Sequence, residues 1–319
     1  MKSKLFNVLK ILISVGMLAY VLLTLNWDNL AQVVSEVRWG YIGVAVVLAF
    51  AGVALRAVRW QALLKGLAID VPLGRLVKLY FVGTFFNCFL PTGFGGDAIR
   101  VVELARGSHK APEAAGTVLV DRATGLWVMF VMGLVALPFG AGDIPQGMVW
   151  LVTAVALAVV IGGWVVMGTR FIPWLGSKVK LPGQAKLERF YRALSGCGYV
   201  ALAQACAISL IFNLMVIVVN FMIALGLNVD LPLGTFFIFS PLLAMALLIP
   251  SVGGLGVGEA VYQLVYGTLD VSKEFSTTMS LTRYMIQSVL PGIVGGILYA
   301  IDGALGLRTD PDKNLEVID

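Results

Sequence analysis

FNCFLPTGFGGDAIR, residues 86–100, interrupts a long apolar part of this chain with a proline, three glycines and two charges. Proline removes a backbone hydrogen-bond donor and glycine weakens a helix, so a straight spanning helix is not expected here. Irregular backbone at membrane depth needs protein or a water-filled cavity around it. The stretch therefore predicts a helix that is broken inside a membrane, with Asp97 capping the helix that follows.

A second stretch of the same kind, IPSVGGLGVGEAVYQ, occupies residues 249–263. Here an apolar run meets Pro250, a Gly-Gly pair and then Glu259. One such break is tolerated as a kink. Two breaks in different halves of one chain indicate an architecture that is built on broken helices.

Composition places the chain in a membrane. Of its 319 residues, 59% are hydrophobic and only 13% are charged, with a mean hydropathy of +0.91, whereas soluble domains are nearer a quarter charged. The net charge of +5 comes from bases at helix ends rather than on a soluble face, so we expect no nucleic-acid partner. The three cysteines lack metal or disulfide spacing, and we expect neither a metal nor a cofactor.

Apolar runs of about 20 residues can cross a bilayer core of about 30 Å. Two shorter runs, at 76–90 and 233–250, end at the breaks and predict re-entrant hairpins over 76–109 and 233–267. The expected fold is an all-α polytopic membrane protein with about six spanning helices and two re-entrant broken-helix hairpins. We expect a single transmembrane domain over 1–305 and a short polar cytoplasmic tail over 306–319. The spanning segments are predicted at 6–25, 39–60, 115–139, 147–168, 199–225 and 276–303.

The distribution of basic residues predicts the orientation. With both termini in the cytoplasm, Arg38 and Lys273 lie outside and Arg122 and Arg283 lie within helices. The other 19 of the 23 basic residues then face the cytoplasm, as the positive-inside rule requires. In this scheme the two breaks enter from opposite sides, which is the arrangement of an inverted repeat. Sequence identity between the halves is too weak to establish that repeat.

Eight ionisable residues fall at or near membrane depth, where each charge costs roughly 2.5–3.5 kcal/mol on insertion scales. A purely structural interpretation is open for all of them. Two arginines near a helix end can snorkel to lipid phosphates, Asp97 can be only a helix cap, and an adjacent acid and base can neutralise each other. The remaining acid and base, far apart in sequence, can pair with each other. The two arginines are Arg56 and Arg59, and Asp97 is followed by Arg100. The adjacent acid and base are Asp121 and Arg122, and the distant acid and base are Glu259 and Arg283.

The functional interpretation of the same residues is an anion site in a polar cavity. Helices starting near Gly96 and Gly258 direct positive helix termini inward, and arginine offers a donor fork that suits phosphate. We therefore predict a lipid phosphate between the two breaks, held by helix N-termini and by Arg100 or Arg122. Asp97 and Glu259 balance these charges, bind an ammonium headgroup or exchange protons.

Adjacent helical residues point about 100° apart, so Asp121 and Arg122 cannot pair well with each other. We predict that both face the broken helices and take partners among Asp97, Arg100 and Glu259. Enzyme motifs are weak by comparison. The single histidine, His109, falls in a polar turn, and neither a zinc-protease, a nucleotide-binding nor a serine-hydrolase motif occurs. We do not expect an enzyme, and no residue is assigned a catalytic role.

Four motifs carry a family resemblance: RAVRWQALL (56–64), FFNCFLPTGFGGDAIR (85–100), VDRATG (120–125) and IPSVGGLGVGE (249–259). Together they resemble the lysylphosphatidylglycerol synthase transmembrane, or flippase-like, family over residues 6–305. The resemblance implies an inner-membrane module of about eight helices that moves a lipid between leaflets. In the best-understood members the lipid is an aminoacylated phosphatidylglycerol and a soluble aminoacyltransferase domain follows. Since this chain ends at Asp319, we expect no synthase activity.

The resemblance also implies a set of lipid- or anion-binding residues, to which Arg283 is added because of its depth. The expected function is binding and translocation of an anionic or zwitterionic phospholipid or glycolipid, without an ATPase. One alternative is a lipid-modifying enzyme that uses Asp97 and Glu259 as acid and base, and another is a scaffold for a separate lipid-synthesising enzyme. Cargo, direction, coupling and oligomeric state stay open. The residues are Arg56, Arg59, Asn87, Pro91, Gly95, Gly96, Asp97, Arg100, Asp121, Arg122, Gly254, Glu259 and Arg283.

Overall fold

The computed structural model describes residues 36–89, 95–105, 111–140, 144–168, 184–246 and 254–304, and in these ranges all regular structure is helical. The predicted first span (6–25), the predicted tail, Pro91 and His109 lie outside the described residues. The helices are α1 (Trp39–Gly66), α2 (Leu73–Phe89), α3 (Gly95–Ala105), α4 (Ala111–Gly140), α5 (Gln146–Gly168), α6 (Gln184–Gly226), α7 (Leu233–Ala246), α8 (Val257–Tyr266), α9 (Lys273–Tyr284) and α10 (Leu290–Ala304). A π-helical turn, Met285–Val289, joins α9 to α10.

Five of the described helical segments are long and apolar enough to cross a membrane. They match five of the six predicted spans and confirm an all-α polytopic membrane protein. α6 is longer than predicted because it continues across a kink at Gly198, where the backbone leaves the helical region. The five segments are Trp39–Gly66, Ala115–Phe139, Gln146–Val165, Tyr191–Gly226 and Lys273–Asp302.

The first break forms a hairpin of α2 and α3. The Asn87 side-chain oxygen accepts the Gly96 N–H at 2.7 Å, and Arg75 Nη2 donates to the Glu103 carbonyl at 3.2 Å. Residues near the end of α2 thus lie beside the start of α3, and residues near the start of α2 lie beside its end. The two helices are therefore antiparallel, as a chain that enters and returns requires.

The second break leads from α7 to α8. Gly254 and Gly256 precede α8 with φ of 84° and 80°, a left-handed conformation that glycine adopts without steric cost. α8 then returns beside α9, where Gln263 Nε2 donates to Thr277 Oγ1 at 2.8 Å. Both predicted breaks therefore separate two short helices.

A repeated turn relates the two halves of the chain. GLAIDVPL (66–73) leads from α1 to α2, and GLNVDLPL (226–233) leads from α6 to α7, 160 positions later. Both turns have a left-handed residue at the same place, Ala68 (φ 54°) and Asn228 (φ 58°). The next residue of each turn donates its N–H back into the helix, at 3.0 Å in the first turn and 2.9 Å in the second. The repeat that sequence identity left open is therefore present in the backbone.

The equivalent helices α1 and α6 pack along each other in opposite directions. At one end the Arg38 N–H donates to the Gly226 carbonyl at 2.8 Å, and at the other Gly66 lies against the Cys197 carbonyl. Between them, a Cβ on Gly52 would lie 3.3 Å from the ring of Phe212, its own equivalent residue. Because equivalent helices are antiparallel, the repeat is inverted, and its axis passes near the Gly52–Phe212 contact.

Candidate functional site

A carboxylate on α4 stands at the centre of a buried polar network. Asp121 is 1% exposed, and its Oδ1 accepts from Arg59 Nε of α1 at 2.7 Å. Its Oδ2 accepts from the Tyr80 hydroxyl of α2 at 2.5 Å. Arg59 also donates through Nη1 to Ser209 Oγ of α6 at 3.0 Å. One carboxylate thus connects helices from both halves of the chain.

The network continues to the first break through α3. Arg100 Nη2 lies 3.5 Å from Asp121 Oδ2, while its Nη1 donates to Asp97 Oδ1 at 3.1 Å. The second oxygen of Asp97 forms an ion pair with Nε of Arg122. The prediction that Asp121 and Arg122 take partners on another segment is confirmed, through Arg100 and Asp97. Of the three candidate partners, Arg100 and Asp97 form the ion pairs that the described residues show.

Aromatic rings enclose Arg100, which is 4% exposed. Its guanidinium carbon lies 3.6 Å from the centroid of the Tyr80 ring and 4.2 Å from that of Trp60. Trp60 is held in turn by donation from its Nε1 to Thr117 Oγ1 at 3.0 Å. Cation–π contact and ion pairing together compensate a guanidinium that has left water.

Two structural interpretations from the sequence are corrected here. Arg59 does not snorkel to a lipid phosphate, because it is 4% exposed and bound to Asp121. The Asp97 carboxylate binds two arginines, and at the start of α3 the Gly96 N–H donates to Asn87 instead. Three arginines face two aspartates in this network, which leaves it one positive charge in excess.

The second break is arranged differently. Glu259, at the start of α8, is 2% exposed. Its two oxygens accept from the Gly256 N–H at 2.6 Å and from Ser280 Oγ at 3.2 Å. The interpretation that it pairs with Arg283 is wrong, since no ion pair joins the two among the described residues. Glu259 instead caps its own helix.

Arg283 and Arg56 lie on the wall of one cavity of about 200 Å³. Arg283 is 8% exposed, and its guanidinium carbon lies 5.8 Å from the centroid of the Tyr262 ring. The guanidinium carbon of Arg56 lies 5.3 Å from the centroid of the Tyr80 ring and 5.4 Å from that of Phe212. In the described part of the chain, neither arginine has a carboxylate within 4 Å.

The sequence-predicted residues thus separate into three groups. Arg59, Asp97, Arg100, Asp121 and Arg122 form the network, and Asn87, Gly95 and Gly96 start α3 beside it. Gly254 and Glu259 form the start of α8, and Arg56 and Arg283 face the cavity. Sequence reasoning missed four polar or aromatic partners that no spacing connects to the charges, although Trp60 stands inside one of the motifs. These are Trp60, Tyr80, Thr117 and Ser209.

Fold and site together define a multi-pass α-helical membrane protein that is built as an inverted repeat around buried charges. A family model then identifies the group more closely: "Lysylphosphatidylglycerol synthase TM region" matches residues 7–295, and the chain belongs to that family. Among curated relatives, it is similar to a UPF0104 membrane protein of Methanothermobacter thermautotrophicus, with 24% identity over 87% of this chain and 90% of the relative. It is also similar to a UPF0104 membrane protein of Pyrococcus horikoshii, with 23% identity over 90% of this chain and 95% of the relative.

Proposed function

We propose that this protein binds a phospholipid or glycolipid and translocates it between the two leaflets of a cytoplasmic membrane. The observation that carries the proposal is the inverted repeat, each half of which contains a broken helix beside buried charged side chains. Inverted repeats with discontinuous helices are a recurring transporter architecture, with the substrate near the bilayer midplane. Membership of a family named after a lipid synthase favours a lipid as that substrate.

The buried network suits the passage of a charged headgroup. An isolated charge at the bilayer centre is costly, so a headgroup must find compensating groups throughout its path. Arg59, Arg100 and Arg122 are each paired with an aspartate, which prevents them from trapping an anion. The one positive charge in excess within this network still favours an anionic or zwitterionic headgroup over a cationic one.

Transport of this kind runs downhill, or is coupled to protons or to the membrane potential, without an ATPase. We propose a transporter rather than an enzyme because the carboxylates that an enzyme would use are already engaged. Asp97 binds Arg100 and Arg122, and Glu259 binds its own helix terminus and Ser280. A separate lipid-synthesising enzyme is the partner that we propose for such a transporter.

Leaflet exchange in liposomes tests the proposal. The full-length protein is reconstituted with labelled phospholipid, and exchange between leaflets is measured for wild type, Asp97→Asn and Arg122→Ala. We expect wild type to accelerate exchange and both variants to lose most of that acceleration, because each removes one charge of the Asp97–Arg122 pair. Asp70→Asn, which alters an exposed acid in the α1–α2 turn, is the matched control and should exchange like wild type.

A wild-type protein that exchanges none of several phospholipids and glycolipids would contradict translocation. Full exchange by both Asp97→Asn and Arg122→Ala would remove the charge network from the mechanism.

A further inference from the structure

The cavity between α1, α6 and the π-helical turn differs from the rest of the buried polar structure. Its polar wall comes from Arg56, Arg283, Gln287 and Ser288, and the rest of the wall is apolar. A second cavity, of about 70 Å³, lies on the other side of Arg283 and Gln287. These two side chains therefore stand between two spaces rather than inside packed protein.

Three donor atoms on this wall have no acceptor. Nε of Arg56, Nε of Arg283 and Nε2 of Gln287 are buried atoms that form no hydrogen bond. A buried donor without an acceptor costs free energy, and the cost is greater when the group is charged. Two like charges on one cavity also repel each other. An anion that accepts from all three groups would remove both costs.

The inverted repeat shows what is missing from this wall. In the first half, Asp97 of α3 pairs with Arg122, 25 positions later on α4. In the second half, the equivalent helices carry an acid and a base within two positions of the matching places, Glu259 on α8 and Arg283, 24 positions later, on α9. Glu259 is committed to Gly256 and Ser280, so Arg283 lacks the carboxylate that its counterpart has. The second half is therefore short of one anion, at Arg283.

The cavity also lies at the right depth for a lipid in transit. Gly52 and Phe212, which mark the axis of the repeat, both line it. Arg56 and Arg283 each lie ten residues from an end of their spanning segment, or about 15 Å at 1.5 Å per residue. Since these segments are 28 and 30 residues long, both arginines lie well inside a hydrocarbon core about 30 Å thick. Half-buried Leu48 and Met215 form part of the wall and leave a side on which acyl chains can lie.

We propose that this cavity binds the phosphate group of a phospholipid, held from the first half by Arg56 and from the second half by Arg283, with Gln287 as a further donor. Arginine suits this ligand because its planar fork matches two phosphate oxygens, and such charge-assisted hydrogen bonds are strong. The inference rests on the proposed function for the choice of a lipid, whereas the oxyanion site itself follows from the unpartnered donors.

Binding by the purified full-length chain tests the site. Isothermal titration calorimetry in detergent measures three probes: short-chain phosphatidylglycerol, a diacylglycerol with the same chains but no phosphate, and inorganic phosphate. We expect phosphatidylglycerol to bind and the diacylglycerol to bind at least tenfold more weakly. Arg56→Gln and Arg283→Gln should each weaken phosphatidylglycerol binding by about tenfold or more, since each removes a charge-assisted hydrogen bond. Arg38→Gln, at an exposed arginine, is the matched control and should bind like wild type.

Arg283→Lys separates the role of the side chain from its role in folding. Lysine keeps the charge but loses the fork, so we expect an affinity between those of wild type and Arg283→Gln. If Arg283→Gln does not fold, Arg56→Gln, on a different helix, decides the question. Unchanged phosphatidylglycerol binding in Arg56→Gln and in the folded Arg283 variants would overturn the site.

The remaining arms separate the ligand from the transport function. Inorganic phosphate that binds as tightly as phosphatidylglycerol would overturn the lipid assignment and leave an oxyanion site. Wild-type protein that binds phosphatidylglycerol through both arginines yet exchanges no lipid in liposomes would support the site and contradict translocation. Wild-type protein that exchanges lipid, while Arg56→Gln and Arg283→Gln bind phosphatidylglycerol normally, would support translocation and contradict the site.

Discussion

Asp121 shows how a single residue makes buried arginine tolerable at membrane depth. Its two oxygens meet Arg59, Tyr80 and Arg100, so one carboxylate serves three partners on three helices. The benefit is mutual, because Arg59 and Arg100 are each only 4% exposed. Removing one member of such a group leaves the others charged, buried and uncompensated.

Replacing Asp121 with asparagine should therefore destabilise the fold strongly. We expect Asp121→Asn to lower the free energy of unfolding by about 3–5 kcal/mol, the usual cost of breaking a buried ion pair from one side. Denaturant unfolding in lipid–detergent micelles measures it. Asp70→Asn, at an exposed acid, should change stability by no more than about 0.5 kcal/mol.

A double-mutant cycle measures how much Arg59 and Asp121 stabilise each other. Arg59→Met with Asp121→Asn should cost clearly less than the two single changes added together, because the uncompensated charge disappears with its partner. Strict additivity would mean that Arg59 and Asp121 do not stabilise each other.

At the residue scale the sequence predicted which charges are buried better than it predicted their partners. Apolar surroundings were enough to indicate that Asp121 and Arg122 face inward. The partners of Arg59, however, lie 62 and 150 positions away, and only the packing of α1 against α4 and α6 brings them together. No local spacing encodes such contacts, so the sequence alone leaves open whether Arg59 snorkels to lipid or belongs to the buried site.

Helix α2 is held on two sides by backbone contacts that only glycine permits. A Cβ on Gly96 of α3 would lie 2.0 Å from the Gly83 carbonyl oxygen, and one on Gly295 of α10 would lie 2.0 Å from that of Phe81. Small residues at such contacts let helices approach closely, which favours association inside a bilayer. α2 is thereby fixed between the returning helix of its own hairpin and the last helix of the described chain.

Gly96→Ala tests this contact. The added methyl group would meet backbone atoms that cannot rotate away, and we expect a loss of stability of about 1–3 kcal/mol or more. Thermal unfolding in detergent, followed by circular dichroism, measures the change. Gly74→Ala in α2 is the matched control, because a Cβ there meets nothing within 4 Å and alanine favours a helix. Equal melting of Gly96→Ala and wild type would mean that the hairpin is not closely packed.

At the element scale, proline and glycine were sufficient to locate both breaks, because few other residues interrupt a helix. The repeat was harder to find. Its signal was present as GLAIDVPL and GLNVDLPL, but eight residues stand out poorly when the intervening helices share only apolar character. Helices that face lipid accept many apolar residues at each position, so turns preserve a repeat in sequence better than helices do.

The inverted repeat fixes where its two equivalent turns must lie relative to a membrane. Asp70 and Asp230 occupy the same place in the two turns and are both exposed. Because α1 and α6 are antiparallel and each spans the bilayer, these turns must face opposite sides. With the predicted orientation, Asp70 is cytoplasmic and Asp230 is external.

Cysteine labelling checks this topology. Single cysteines at Asp70→Cys and Asp230→Cys, in a chain whose three native cysteines are replaced by serine, are treated with a membrane-impermeant maleimide on intact cells. We expect labelling of the second site only, and of both sites after permeabilisation. A cysteine at Ala111 should behave like Asp70→Cys if the first hairpin enters and returns on one side. Labelling of Asp70→Cys and Asp230→Cys from the same side would contradict the inverted repeat.

The antiparallel pairing of α1 with α6 also determines the order in which this protein can assemble. A chain made from its N-terminus presents α1, with Arg59, to the membrane before either partner of that arginine exists. Asp121 follows 62 residues later, roughly 3–12 s at ordinary rates of synthesis, and Ser209 later still. Throughout that interval an arginine that costs roughly 2.5–3.5 kcal/mol to insert lacks its ion-pair partner. The newly made α1 must therefore remain close to its insertion machinery, or tilt the arginine toward water, until α4 has been made.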